Sequence, residues 1–95
     1  MFRVPRVNVI ESDEGFSVAV LGRTGMRYTE GERSLFVDSE MLAFSWPSVM
    51  GVWKSSIRKW DPPHSDQVID EAERERIINN IRAAFRFKGE EIDVI

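Results

Sequence analysis

Two hydrophobic periods divide this chain, and the change between them falls near Ile69. Ile77, Ile78, Ile81, Ala84 and Phe85 recur at the i, i+1, i+4, i+7, i+8 spacing of one helical stripe, while Glu71, Arg74, Glu75, Asn79, Arg82 and Arg86 fall elsewhere. The spacing predicts one long amphipathic helix between Ile69 and Gly89. Asp70 stands at the N-cap with Glu73 three residues on, a capping-box pattern in which Asp70 accepts from free amides and Glu73 reaches back to the Asp70 amide. Gly89 directly after Lys88 predicts a left-handed residue past the helix end. The acidic first turn and basic last turn both complement the helix dipole.

Nearly everything before Ile69 alternates with a period of two. Phe2 to Ile10 reads as a first strand, with Val7 and Val9 on one side and Pro5 at a position that suits an edge. Glu11 to Gly15 is a polar turn, and Phe16 to Leu21 a second strand with Phe16, Val18 and Val20 together. After the turn Gly22 to Gly25, Met26 to Thr29 forms a short third strand. Arg33 to Met41 is the fourth; Leu35 and Val37 on one side and Phe36 on the other hint at a central place. Ala43 to Ser48 is a loop or an edge, because Pro47 cannot donate to a ladder. Val49 to Lys54 reads as a strand, and Ser56 to Trp60 as a further strand or its continuation. Asp61 to Asp66, with two prolines, is a semi-rigid connector, and alternation resumes from Glu90 to Ile95 as a closing strand. One helix with an apolar stripe needs a sheet to cover. The expected fold is α+β, one domain over residues 1–95: an antiparallel β-meander of about five to seven strands, one long C-terminal amphipathic helix packed on one face, and a short final strand.

Composition narrows the function classes. The 95 residues are 42% hydrophobic and 11% aromatic, which suits a globular core. The absence of cysteine excludes disulfides and thiolate chemistry and fits a reducing compartment. Thirteen basic against sixteen acidic residues give a formal charge of −3 and a pI near 5.1, which argues against a dedicated nucleic-acid binder. The N-terminus lacks the apolar core of a secretory signal, and no apolar run approaches the roughly 18–20 residues of a membrane span. The expectation is a cytoplasmic protein without a membrane partner.

Candidate chemistry is sparse. His64, the sole histidine, lies between Asp61 and Asp66, where a carboxylate-oriented base or a metal ligand is conceivable, but the spacing matches no ligand pattern. No serine sits in a Gly-x-Ser-x-Gly elbow, and neither Gly22 to Gly25 nor Glu30 to Glu32 is a phosphate cradle. The sequence therefore predicts no catalytic residue, no cofactor and no metal site. Carboxylate pairs such as Asp38/Glu40 read as solvated strand-end charges. Trp46, Trp53 and Trp60 are many for this length; the expectation is two in the core and one near the surface, as an interface anchor. Arg3, Arg6, Arg23, Arg27 and Arg33 could cluster on the sheet face away from the helix.

Arg33-Ser-Leu-Phe-Val-Asp-Ser-Glu-Met-Leu42, Ser56-Ile-Arg-Lys-Trp-Asp-Pro-Pro-His64, and Glu75 to Phe87 with Gly89 together resemble the immunity protein 74 family of bacterial polymorphic toxin systems. The resemblance covers about the last two thirds of the chain. Its most specific pieces are Trp60-Asp-Pro-Pro-His64 and the Phe85-x-Phe87-x-Gly89 ending. It implies a cytoplasmic, non-enzymatic protein that binds one toxin domain and blocks it; no binding residue carries over. Physical reasoning offers two faces. One is the sheet face left open by the helix, around Ala19, Leu21 and either Leu35/Val37 or Phe36, which could also mate in a homodimer. The other, preferred, is the Trp46 to Asp66 region, with Trp46, Trp53, Trp60, Asp61, His64 and Asp66 as candidate partner-binding residues. The alternative is a small nucleic-acid-binding sheet with stacking aromatics such as Tyr28, Phe36 or Trp53 among arginines. An enzyme built on His64 ranks third.

Overall fold

A computed structural model describes residues 1–43 and 48–95. Among these residues one seven-stranded sheet runs in sequential order: β1 (Phe2–Arg6), β2 (Val9–Ser12), β3 (Phe16–Val20), β4 (Gly25–Glu30), β5 (Arg33–Ala43), β6 (Val49–Val52) and β7 (Glu91–Val94). Helix α1 (Glu71–Phe87) covers one face, so the fold is α+β as the periods predict. The expectations for Phe44 to Pro47, Trp46 among them, lie outside the described residues.

The inner face of the sheet presents Ile10, Phe16, Val18, Met26, Tyr28, Leu35, Val37, Met50, Val52 and Ile92 to the helix stripe of Ile77, Ile78, Ile81, Ala84 and Phe85, and all of these are buried. Each large apolar side chain placed there contributes roughly 1.5–3 kcal/mol. The helix begins as its cap predicts, with the Asp70 carboxylate accepting from the Glu73 amide at 2.8 Å. Glu73 departs from the capping box: its carboxylate turns to Arg76 at 3.4 Å and Arg33 at 3.7 Å instead of the Asp70 amide. At the other end Gly89 takes φ 78°, and the Glu90 amide donates back to the Phe85 carbonyl at 2.9 Å.

Three expectations about strands are corrected. Phe2 to Ile10 is two strands, β1 and β2, which reverse at Val7 and Asn8 with Arg6 opposite Val9. Neither turn residue is glycine, so nothing in the alternation marks the reversal. Ser56 to Trp60 is not a strand: a 3₁₀ turn over Lys54–Ser56 is followed by irregular backbone with one bridge, Lys59 to Val68. Ile57 and Trp60 are both buried, and a strand would send residues three apart to opposite faces. Finally, β7 pairs with β6 in parallel, whereas every earlier pairing is antiparallel. A hairpin reverses the chain, but the crossover through α1 returns it to the starting end of β6, so β7 runs the same way.

A polar clasp fixes α1 to the sheet. Tyr28 Oη, buried on β4, donates to Glu30 Oε2 at 2.7 Å and accepts from Asn80 Nδ2 of the helix at 2.8 Å. Arg76 pairs with the same Glu30 carboxylate.

Candidate partner-binding surface

The preferred region of the sequence reading forms a strap along a sheet edge. β5 is long enough to pair with β4 through its first half and with β6 through its second, which leaves one edge of the first half without a strand. The chain leaving β6 covers that edge. The Trp53 amide donates to the Asp38 carbonyl at 3.0 Å, the Asp38 amide donates to Ser56 Oγ at 3.0 Å, and the Asp61 amide donates to the Ser34 carbonyl at 2.8 Å. These bonds satisfy an edge that would otherwise template further pairing. Ile57, Trp60 and Ile69 point inward and bury the strap against the core. From the helix, Arg74 Nε donates to the Ile57 carbonyl at 2.9 Å. The return half is tied by the Ile69 amide to the Arg58 carbonyl at 2.8 Å. The strap is thus pinned to sheet, helix and itself.

The five candidate residues among those described occupy different depths. Trp60 is 1% exposed, beside Tyr28 with ring centroids 6.3 Å apart and beneath the Arg33 guanidinium at 4.3 Å. It supports the strap from below. Trp53, Asp61 and His64 are half-buried and Asp66 is exposed. Asp61 pairs through its carboxylate with Arg27 of β4, and its carbonyl accepts from the His64 amide at 2.9 Å. Trp46 lies outside the described residues, so Trp60 in the core and Trp53 at the surface are the tryptophans the structure places.

Three open depressions run end to end over this surface. One of about 340 Å³ is lined by Phe36, Ser56, Arg58, Asp61, Pro62 and Ser65, among others. The next, of about 440 Å³, shares Phe36, Ser56 and Arg58 and adds Asp38 and Ser55. The third, of about 320 Å³, shares Asp38 and adds Thr24, Ser39, Glu40 and Trp53. Phe36 is the apolar centre, 41% exposed, with its ring lying over Gly25; a Cβ on Gly25 would stand 2.2 Å from the Phe36 ring. An apolar centre with a polar rim is the anatomy of a protein interface.

By sequence Phe36 belongs to the rival face and Asp38 and Glu40 are solvated strand-end charges, yet the fold joins all three to the strap. The joint is Ser56, whose hydroxyl donates to the Trp53 carbonyl at 2.7 Å while accepting from the Asp38 amide. No short motif announces a contact between positions eighteen residues apart. The proposed arginine cluster does not assemble on the outer face. Arg3 pairs with Glu11 and Arg27 with Asp61, while Arg33 turns to the helix side, over Trp60 and against Glu30 and Glu73. Tyr28 is fully buried and offers no stacking platform.

The family model of Immunity protein 74 matches residues 18–95. The chain belongs to that family. Neither the curated proteins nor the solved structures give a match. The part shared with the immunity protein 74 family runs from within β3 to the chain's last residue, so it contains the strap, the three depressions and α1, whereas the β1–β2 hairpin precedes it. Among the described residues no group of three or more histidines, cysteines, aspartates or glutamates is set to hold a metal ion. No helix among them is long and apolar enough to cross a membrane.

Proposed function

We propose that this chain is the immunity partner of a toxin domain, which it binds and neutralises by protein-protein contact without chemistry of its own. The observation that carries the reading is the family match across the whole strap surface. The contact region is the strap: Trp53, Asp61, His64 and Asp66 meet the toxin domain, Trp60 holds them in place, and Trp46 joins through its place in the chain between β5 and β6. Because the strap is pinned to β5 and to Arg74, little conformational freedom is lost on docking, and preorganisation of this kind raises affinity. A chain without cysteine suits the reducing cytoplasm, where we place the encounter.

Co-expression with the C-terminal toxin domain encoded beside this chain tests the reading. The expected result is a single stable complex on gel filtration together with restored growth of the host cell. A folded chain that neither co-elutes nor restores growth would sink it.

A further inference from the structure

The outer face of the β5–β7 half carries an acidic rim around an apolar floor, and among the described residues no ion pair matches its charges. Glu40, Gly51 and Asp93 lie side by side across β5, β6 and β7. Strands about 4.8 Å apart set the two carboxylate-bearing positions roughly 10 Å from each other. Between them Gly51 has no side chain, and Leu42 and Ile95 lie over its backbone, within 3.0–3.2 Å of where a Cβ would stand. Leu42 and Ile95 are 45% and 48% exposed. Asp38, two residues before Glu40 on the same face of β5, continues the rim towards Phe36 and the strap depression.

On the other half of the sheet two carboxylates near the outer face are matched, Glu11 by Arg3 and Asp61 by Arg27. Asp38, Glu40 and Asp93 form no ion pair among the described residues, although Arg58 lines the depression beside Asp38. β6 and β7 hold no basic residue, and the one in β5, Arg33, turns to the helix side. Three carboxylates thus gather on one face of a chain whose formal charge is −3, which concentrates negative charge there.

Resting on the immunity reading, we propose that this face receives a basic surface of the toxin domain, with Lys or Arg groups at Asp38, Glu40 and Asp93 and apolar side chains on Leu42 and Ile95. A second copy of the chain fits less well. A two-fold interface sets each patch against itself, and like charges brought together oppose association. A basic partner gains from the same arrangement: the rim steers its approach and the floor retains it.

The test compares two variants of the full chain against the purified toxin domain encoded beside it. Asp38→Asn/Glu40→Gln/Asp93→Asn neutralises the rim; Glu14→Gln/Glu32→Gln/Glu75→Gln removes the same charge from exposed sites elsewhere. All six side chains are solvent-facing, and circular dichroism melting confirms that both sets fold. The rim set is expected to slow association about tenfold at low salt and to flatten its salt dependence, while the control set stays within about twofold of wild type. Equal losses in both sets would reduce the effect to net charge and overturn the proposal, as would no loss in either, with the immunity reading intact because the wild-type complex still forms. A wild-type dimer strengthened by the rim set would assign the face to self-association instead. Absence of any wild-type complex would remove both readings together.

Discussion

Tyr28 puts a hydroxyl in the middle of the core, and its partners decide what that costs. Burial drives the phenol well above its ordinary value of 10.0; the nearby Glu30 carboxylate pushes the same way, and the hydrogen bond from Asn80 opposes. For Glu30, burial acts to raise the carboxyl, but hydrogen bonds from Arg76 and Tyr28 and the charges of Arg76 and Arg33 outweigh it and hold it below the usual range. The signs follow by linkage. Glu30's depressed value adds stability above the ordinary carboxylate range, which is lost as pH falls below about 4. Tyr28's raised value adds stability that is complete below about pH 10 and is lost as pH rises beyond it. Tyr28→Phe leaves Asn80 and Glu30 short of a partner and is expected to cost about 1–3 kcal/mol at neutral pH. Because Tyr28 is the sole tyrosine, the variant is also expected to lose the fall in stability above pH 10. Urea unfolding across pH checks both, and an unchanged alkaline slope would refute the assignment. Alternation already puts Tyr28 on the same face as Met26. Its link to Asn80 spans 52 positions and is visible only in the fold.

Among the elements, α1 is the one whose sequence speaks for itself. Its stripe, N-cap and terminal glycine are local features, decided within a few residues, and all three appear where the spacing predicts. Asp70→Ala is expected to cost about 1 kcal/mol, seen as a lower urea midpoint at unchanged slope, since one amide of the first turn loses its acceptor. A loss below about 0.2 kcal/mol would show that water serves the end equally well. The strap is the opposite case. Its turn residues and prolines read correctly as irregular from Asp61 onward, but Ser56 to Trp60 alternates well enough to pass for a strand. What overrules the local preference is the demand to bury Ile57 and Trp60 on the same side while covering the open edge of β5.

At the scale of the molecule, α1 touches β2, β3 and β7, so one helix closes both ends of the sheet. Phe2 extends this closure to the N-terminal hairpin, with its ring 5.8 Å from Phe16 edge-on and 5.5 Å from Phe87 at the helix end. β1 is otherwise exposed, with Val7 at the hairpin tip 89% exposed. Phe2→Ala is expected to speed amide exchange in β1 and β2 by at least about tenfold while leaving β4, β5 and α1 at the global rate, because the hairpin opens as a separate unit. Uniform acceleration across all strands would show instead that the hairpin belongs to the cooperative core. The hairpin also precedes the part shared with the family, so its loosening is expected to leave the proposed toxin contact at the strap and the β5–β7 face unchanged.

By itself the sequence determined the fold class, the helix with both of its ends, which residues of β3, β4 and β5 share a face, and the family, since each depends on local spacing or on motifs within a single stretch. Tertiary structure alone decided the direction of β7, the position of the strap on β5, the burial of Trp60, and the gathering of Asp38, Glu40 and Asp93 into one unmatched rim. Alternation says which residues share a face of one strand. It is silent on which residue of the neighbouring strand lies opposite, and the surface of this protein is made of neighbours that only register and the β6–β7 crossover bring together.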